Sequence, residues 1–156
     1  MTSDPRTAAA ALRRCLALLL PVLLAGCTSL GMDLPEGFLR LHASGWRAVS
    51  ADDARLWVRE FDDPERGTLA FWAATLTEEF TRNRGYAPVG ASEVQDKAGR
   101  TGRLMEFAAT VDGERCGYLI AVWSLGSKLR TVEFTARDEV YRRHVAAVRQ
   151  GLATVR

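Results

Sequence analysis

RLMEFAATVDGERCGYLIAVWSLGSKLRTVEFT, residues 103–135, contains three apolar runs separated by two short turns. Asp112-Gly113 is a strong hairpin signal, and Gly126-Ser127 marks the second turn. The runs have the length and apolar content of β-strands and cover residues 103–111, 115–125 and 128–135. Strands joined by such short turns are antiparallel, because parallel strands need a long crossover between them. The stretch therefore predicts a three-stranded antiparallel meander.

Two further stretches place apolar residues three or four positions apart, the spacing of an amphipathic helix. The first runs from Thr68, a predicted N-cap, to about Arg84, and Gly85 is expected to end it in a left-handed conformation. Its apolar stripe is Leu69, Trp72, Leu76 and Phe80. The second follows a predicted capping box at 135–138 and has the stripe Tyr141, Val145, Val148, Leu152 and Val155.

The remaining segments extend the sheet. Residues 46–49 and 56–61 flank a turn-forming cluster at 50–53 and predict a hairpin. Residues 91–97 are a candidate strand, whereas 86–90, which include Pro88, are expected to form a loop. The economical packing is an α+β domain, with an antiparallel sheet of about five or six strands packed with two amphipathic helices.

The N-terminal residues are typical of a bacterial export signal. Arg6, Arg13 and Arg14 precede the apolar run LALLLPVLL at 16–24. A membrane-spanning helix needs about 20 apolar residues, and this run has roughly half that number before polar Thr28. We therefore expect a signal peptide and no permanent transmembrane helix.

Leu24-Ala25-Gly26-Cys27, which ends this run, resembles the lipobox of bacterial lipoproteins. The resemblance implies cleavage between Gly26 and Cys27 and acylation of Cys27, with palmitate among the attached chains. Two or three acyl chains hold a protein stably on a membrane, whereas one chain holds it marginally. Thr28 in place of an aspartate favours the outer membrane, on its periplasmic face, over the inner membrane. The alternatives are an ordinary secretory signal with a coincidental cysteine and, from Arg13-Arg14, twin-arginine export.

These boundaries divide the chain into a signal peptide at 1–26, a tether at 27–35 and a single domain at 36–156. Removing residues 1–26 removes three arginines and one aspartate and leaves 18 basic and 18 acidic residues. The mature chain is therefore neutral, and its charge gives no argument for nucleic acid binding. Cys116 is the only cysteine left without an assigned role, and it is either buried and inert or used for an intermolecular bond. Its apolar run favours burial.

Residues suited to catalysis or metal binding are few. His42 and His144 are the only histidines, and neither has a nucleophile or a zinc-ligand spacing beside it. The acidic clusters 52–53 and 62–65 are explained by turns, and calcium binding would gain support only if both turns lay at the same end of the domain. We therefore expect no catalytic residue, metal or cofactor.

The four tryptophans, Trp46, Trp57, Trp72 and Trp123, are expected mostly in the core, because large aromatic side chains dominate protein cores. An exposed tryptophan beside Tyr86 would instead indicate a ligand cleft. The Gly99–Gly102 turn leads into a strand and not into a helix, which excludes a phosphate-binding loop of the common kind.

The order of these elements resembles the PsbP-like superfamily, to which DcrB-like envelope lipoproteins are similar. The shared features are an early Gly45-Trp46 strand, a helix that ends in Arg84-Gly85-Tyr86, the Gly99–Gly102 turn before the meander, and a C-terminal helix. The resemblance implies an α/β/α sandwich over residues 36–156 and a binding or assembly role, and it carries over no catalytic residue.

We therefore expect a lipid-anchored envelope lipoprotein that serves as a non-catalytic binding or assembly module for a protein partner. The alternative is a carrier of a small apolar ligand, with a cleft between sheet and helix. An enzyme would require a concave site that gathers Asp52, Asp62 or His144 with perturbed protonation.

Overall fold

The computed structural model describes residues 29–42 and 45–156. The predicted signal peptide, its cleavage site at Gly26 and the lipidation site at Cys27 lie outside these residues. Seven strands form one sheet in the order β1-β2-β3-β7-β6-β5-β4, and every neighbouring pair is antiparallel. The strands are β1 Phe38–Arg40, β2 Trp46–Ser50, β3 Arg55–Asp62, β4 Ala87–Gln95, β5 Thr101–Val111, β6 Glu114–Ser124 and β7 Lys128–Arg137.

Two helices cover the sheet. Helix α1, Leu69–Glu78, continues as a π-helical turn at Glu79–Asn83, and helix α2, Asp138–Gly151, continues as a 3₁₀ turn at Leu152–Thr154. The predicted α+β class is confirmed, and the strand count is seven where five or six were expected. The strand we missed is β1, which has only three residues and no periodic pattern.

The prediction of a loop at residues 86–90 is wrong, because β4 already begins at Ala87. Two features reconcile Pro88 with a strand. β4 is an edge strand, so its outer side needs no ladder hydrogen bond. A register shift between Pro88 and Gly90 absorbs the irregularity as a bulge.

Each face of the sheet has its own core. Helix α2 packs on one face through Tyr141, Val148 and Leu152, against Trp123 and Phe134 of the sheet. Helix α1 and its π-turn pack on the other face, where Phe80 contributes the buried ring above Met105, Phe107, Tyr118, Ile120 and Val122. The architecture is an α/β/α sandwich, and both predicted apolar stripes face the sheet.

The predicted ends of α1 are observed, whereas the predicted start of α2 is not. Thr68 caps α1 by accepting a hydrogen bond from the Phe71 amide at 3.2 Å, and Gly85 adopts φ +69° beyond its end. The capping box predicted at 135–138 is wrong. Strand β7 runs to Arg137, and the Thr135 hydroxyl donates to the Gly117 carbonyl at 3.1 Å instead.

The N-terminal segment is fixed to the C-terminus. Gly31 and Arg156 exchange two backbone hydrogen bonds of 3.0 and 2.9 Å, and the Met32 side chain is buried against Gly151. Residues 31–35, expected within the tether, therefore pack on the domain. Gly31 also touches Trp46, where β2 begins. We call this end of the sheet, with Gly31, Trp46 and Arg156, the proximal end.

The opposite end carries the turns at 51–54 and 112–113, which the register of β3, β7, β6 and β5 brings together. We call it the distal end. Within the described part of the chain, no helix is long and apolar enough to cross a membrane.

Candidate functional site

A cleft of about 770 Å³ opens at the distal end, on the face of the sheet that α1 covers only in part. Side chains of β3, β7 and β6 form its floor, because alternate residues of a strand point to the same face. The floor is lined by Trp57, Arg59, Glu133, Tyr118 and Cys116, and the segment between the π-helical turn and β4 adds Arg84 and Tyr86 as a wall. The rim carries Asp53, Arg55, Asp112, Glu114 and Arg137. We call this feature the distal cleft.

Glu133 is the centre of the polar network on the floor. It accepts hydrogen bonds from the Tyr118 hydroxyl and from Arg59 Nη2, the latter at 3.3 Å. The Arg59 guanidinium also lies 5.7 Å from the centroid of the Trp57 ring, within the range of a cation–π contact. The carboxylate is therefore paired, and the indole is held in a fixed orientation toward the cleft.

The wall is a cluster of aromatic rings. Tyr86 stacks on Phe80 with centroids 5.7 Å apart and meets Tyr118 edge-on at 5.7 Å. Arg84 lies 4.8 Å from the Phe80 centroid and donates to Glu79 at 3.1 Å. Aromatic pairs of this geometry contribute about 0.5–1.5 kcal/mol beyond their buried area. The wall of the cleft is therefore preformed and needs no ligand to order it.

Asp52 joins the distal turn to helix α2. Its carboxylate accepts hydrogen bonds from the Ser50 hydroxyl, from Arg143 Nη1 at 2.6 Å and from His144 Nε2 at 3.0 Å. The Ser50 hydrogen bond is the main cause that lowers the pKa of Asp52 to about 2; partial desolvation opposes it, and His144 adds to it. His144 meets Phe38 of β1 edge-on at 5.2 Å. Asp52 is therefore ionised at neutral pH, and it links the end of β2, the distal turn and helix α2.

The substitution Asp52→Asn should lower stability in a pH-dependent way. The pKa of Asp52 is lower in the folded chain than its ordinary value of 3.8, so its stabilising effect is present above about pH 4 and disappears as the pH falls toward 2. Thermal melts of the wild type and Asp52→Asn should differ most at pH 6, and the difference should shrink below about pH 4 and vanish only below about pH 2. A difference in melting temperature that stayed constant across this range would contradict the assignment.

The other residues considered for chemistry lie apart. His42 is exposed after β1. Asp62 pairs with Lys128 at 2.6 Å at the proximal end of β3, whereas Asp52 is at the distal end, so the two acidic clusters cannot share a calcium ion. Buried Asp63 accepts hydrogen bonds from the Trp72 indole at 2.8 Å and the Gly67 amide at 3.0 Å, which is a structural role.

The Gly99–Gly102 turn is also structural. Asp96, which is buried, accepts backbone hydrogen bonds from Ala98 at 3.0 Å and Arg100 at 2.9 Å. Cys116 lies partly buried on the cleft floor, and desolvation raises the pKa of its thiol. It is less buried than its apolar run indicated.

Four site residues differ from the sequence-based expectation: Arg59, Tyr118 and Glu133 have no role in it, and Trp57 is grouped there with the tryptophans expected mostly in the core. A signal for two of them was present, because Arg55, Trp57 and Arg59 alternate with apolar Leu56 and Val58. This period of two places the polar and aromatic side chains on one face of β3. Trp57 and Tyr86 both line the cleft, but Trp57 is only partly exposed and the contacts of the Tyr86 ring are with Phe80 and Tyr118, so the condition of an exposed tryptophan beside Tyr86 is met only in part.

Comparison with known proteins identifies the fold. No family model and no curated protein sequence matches the chain. The solution structure of the cyanobacterial PsbP protein CyanoP from Synechocystis sp. PCC 6803 is similar, with a TM-score of 0.55, 13% identity and coverage of 86% of this chain and 95% of that one.

Two further structures are similar over 86% of this chain. LpqN, described as involved in cell envelope biogenesis of Mycobacterium tuberculosis, has a TM-score of 0.61, 16% identity and 86% of its own length covered. PA94 of Pseudomonas aeruginosa, a protein of unknown function, has a TM-score of 0.56, 14% identity and 88% of its length covered. The chain therefore has a PsbP-like fold, as the order of its elements indicated.

Proposed function

We propose that this chain is a lipid-anchored envelope lipoprotein that acts as a non-catalytic binding module for a protein partner, with the distal cleft as the binding surface. The observation that carries the proposal is the position of the cleft. It lies at the distal end, whereas the segment that leads back to Cys27 leaves the domain at the proximal end.

The distances support display of the cleft away from a membrane. Three residues, 28–30, separate Cys27 from Gly31, which is bonded to Arg156. Extended chain of that length reaches about 13 Å. Strand β6 has 11 residues and spans roughly 36 Å from end to end at the usual rise per residue. A domain anchored at Cys27 would therefore rest close to the bilayer and present the cleft tens of ångströms from it.

The composition of the cleft favours a protein partner. Nine of its 17 lining residues are charged, and aromatic and arginine side chains lie beside them. Tryptophan, tyrosine and arginine are the residues most often responsible for affinity at protein interfaces. Trp57, Tyr86 and Arg137 provide all three types on one surface.

The distal cleft contains Asp52, which has a shifted pKa and contacts His144, as the condition for an enzyme requires, but the directions of the pKa shifts in the cleft support a non-catalytic role. Burial is the main cause that raises the pKa of Tyr118, and Glu133 raises it further. Burial also raises the pKa of the Cys116 thiol, whereas the pKa of Asp52 is lowered to about 2. General acid–base catalysis works best with groups that titrate near the operating pH. These three groups are all shifted away from neutrality.

The volume of the cleft supports a second candidate, a small-ligand carrier, because ligand pockets commonly enclose about 300–1,000 Å³. Its many charges make an amphipathic ligand a better fit than an apolar one. Native mass spectrometry of the chain purified from membranes would decide this. A stoichiometric small-molecule adduct that Trp57→Ala removes would favour the carrier over the partner-binding module.

The envelope location rests on the lipobox resemblance, and the description of LpqN, a protein of the same fold, agrees with it. Growth with radiolabelled palmitate should label the wild type and leave Cys27→Ser unlabelled. Equal labelling of both would overturn the lipid anchor. Sucrose-gradient separation of the two membranes should place the labelled protein in the outer membrane.

Charge reversal in the cleft should release the partner. We expect Arg137→Glu to reduce the protein recovered with the chain from detergent-solubilised membranes at least tenfold, by quantitative mass spectrometry. The matched control is Arg115→Glu, because Arg115 is exposed on β6 outside the cleft lining. Equal recovery with both variants, or no reproducible partner with the wild type, would contradict the proposal.

A further inference from the structure

The outer edge of β4 is a second surface with the features of a binding site. β4 is the last strand of the sheet, and among the described strands only β5 pairs with it. Edge strands expose backbone N–H and C=O groups, and proteins usually protect them with proline, bulges, lysine or short length. Pro88 and the bulge protect the first part of β4. Residues 91–95 pair regularly with β5 and contain no proline, and Glu93 is their one charged residue.

A groove of about 490 Å³ runs beside this unprotected part, between α1 and the edge of the sheet. Its wall consists of small side chains of α1 and its π-turn, namely Ala73, Ala74, Thr77 and Thr81, and its floor of Ala91 and Met105. Because these side chains are small, they leave space next to the strand edge for side chains of another chain. We call this feature the edge groove.

Helix α1 is unusually exposed for so apolar a helix. None of the residues Leu69–Glu78 is buried, and Phe71 is 56% exposed. A helix that is apolar on most sides is normally covered by other protein. The side of α1 with Ala74 therefore has the composition of a contact surface.

The charges in the edge groove define the chemistry of its occupant. Glu78 and Arg82 neutralise each other in an ion pair of 2.5 Å. Arg103, which is partly buried in the groove, forms no ion pair with any described residue, although Glu93 is its cross-strand neighbour. The groove thus offers one cation to a carboxylate.

We propose that the edge groove binds an extended peptide segment of a partner protein, which adds to β4 as an eighth strand. Backbone hydrogen bonds to residues 91–95 supply affinity, and side chains at alternate positions supply specificity, as in other cases of strand addition. A small apolar side chain enters the groove beside Ala91 and Met105. A carboxylate two residues along the peptide stands across from Glu93 on the same face, because Ala91 pairs with Met105 and Glu93 with Arg103. Arg103, one strand further in, offsets the repulsion between the two carboxylates and makes the acidic residue acceptable there.

The test is selection from a library of random octapeptides displayed on phage, with the full chain purified in mild detergent as the target. Enriched peptides should contain a small apolar residue and an aspartate or glutamate two positions apart. Synthetic copies methylated on single backbone nitrogens should lose binding at every second position only. This alternation is the signature of strand pairing.

Variants of the protein locate the binding surface. Ala74→Arg fills the groove and should weaken the selected peptides at least tenfold. Ala70→Arg is the matched control, because Ala70 is exposed on the same helix outside the groove lining. Arg103→Gln should remove the preference for an acidic residue. Circular dichroism melts of all three variants should match the wild type.

Several results would overturn the proposal. These are a library that yields no enriched sequence, peptides whose affinity Ala74→Arg leaves unchanged, and loss of binding on methylation at consecutive positions. If Arg137→Glu weakened the binding of the selected peptides, their binding site would be the distal cleft and not the edge groove. A concentration-dependent dimer that Ala74→Arg dissociates in sedimentation experiments would make a second copy of this chain the occupant. The partner-recovery experiment tests the distal cleft separately, so failure of the edge-groove proposal leaves the distal cleft proposal standing.

Discussion

Replacing Trp123 with alanine should lower the free energy of unfolding by about 4 kcal/mol, the range found when a large aromatic residue is removed from a core. Trp123 is 0% exposed and is the largest fully buried side chain described. Its indole N–H donates to the Arg100 carbonyl at 3.2 Å, and the ring lies against Gly102. Removal would leave a cavity, and the Arg100 carbonyl would keep only its hydrogen bond from the Asp96 amide, at 3.1 Å. Urea unfolding at equilibrium measures the loss.

The matched control is Trp57→Ala. Trp57 is only partly buried, on the floor of the distal cleft. We expect its loss to cost at most about 1 kcal/mol, as for partly exposed positions in general, and to reduce partner recovery. Equal destabilisation by both substitutions would contradict the distinction between a core tryptophan and a binding tryptophan.

The substitution Gly117→Ala should cost about 3 kcal/mol, at the upper end for an overpacked core. The ring of Tyr141 lies over Gly117, and a Cβ atom there would come within 2.5 Å of Tyr141 Cδ1, closer than real contacts allow. Tyr141 cannot yield easily. Its hydroxyl donates to Glu106 at 2.8 Å, and its ring stacks on Phe134 with centroids 5.1 Å apart. The added methyl would therefore push helix α2 off the sheet.

Gly90→Ala is the control for Gly117→Ala. A Cβ atom at Gly90 meets no atom within 4 Å, and its φ is not in the left-handed region. We expect a change within about 0.5 kcal/mol there. In a Tyr141→Ala background, Gly117→Ala should cost less than about 1 kcal/mol, because the clash is removed. Equal effects of the two glycine substitutions in the wild-type background would show that the Tyr141 contact is wrong.

The parts of the fold that the sequence predicted are those that local chemistry determines. Asp112 and Gly113 both adopt positive φ, 51° and 80°, as a tight hairpin requires, and the meander follows from that turn. The two helices follow from their apolar stripes. β1 could not be predicted, because three residues are too few to show the alternation of a strand. Its strand conformation depends on pairing with β2, which the sequence does not show. Pro88 was misjudged because its tolerance depends on an edge position that only the assembled sheet defines.

The candidate site was less accessible to prediction, because its residues come together only through register. Trp57 and Glu133 are cross-strand neighbours, as are Tyr118 and Thr135, and neither pair is visible without the strand order. The His144–Asp52 contact joins residues 92 positions apart. The alternation of residues 55–59 is the signal in the sequence that places Trp57 and Arg59 on one face of β3.

Site-specific photo-crosslinking in living cells tests most directly whether the distal cleft contacts a protein partner. A photoreactive p-benzoylphenylalanine would replace Trp57 in the cleft or, as the control, Leu39, which is 73% exposed on β1 outside the cleft. We expect one reproducible protein adduct from position 57 and none from position 39. Adducts of equal yield from both positions, or from position 39 alone, would contradict this contact, as would no adduct from position 57.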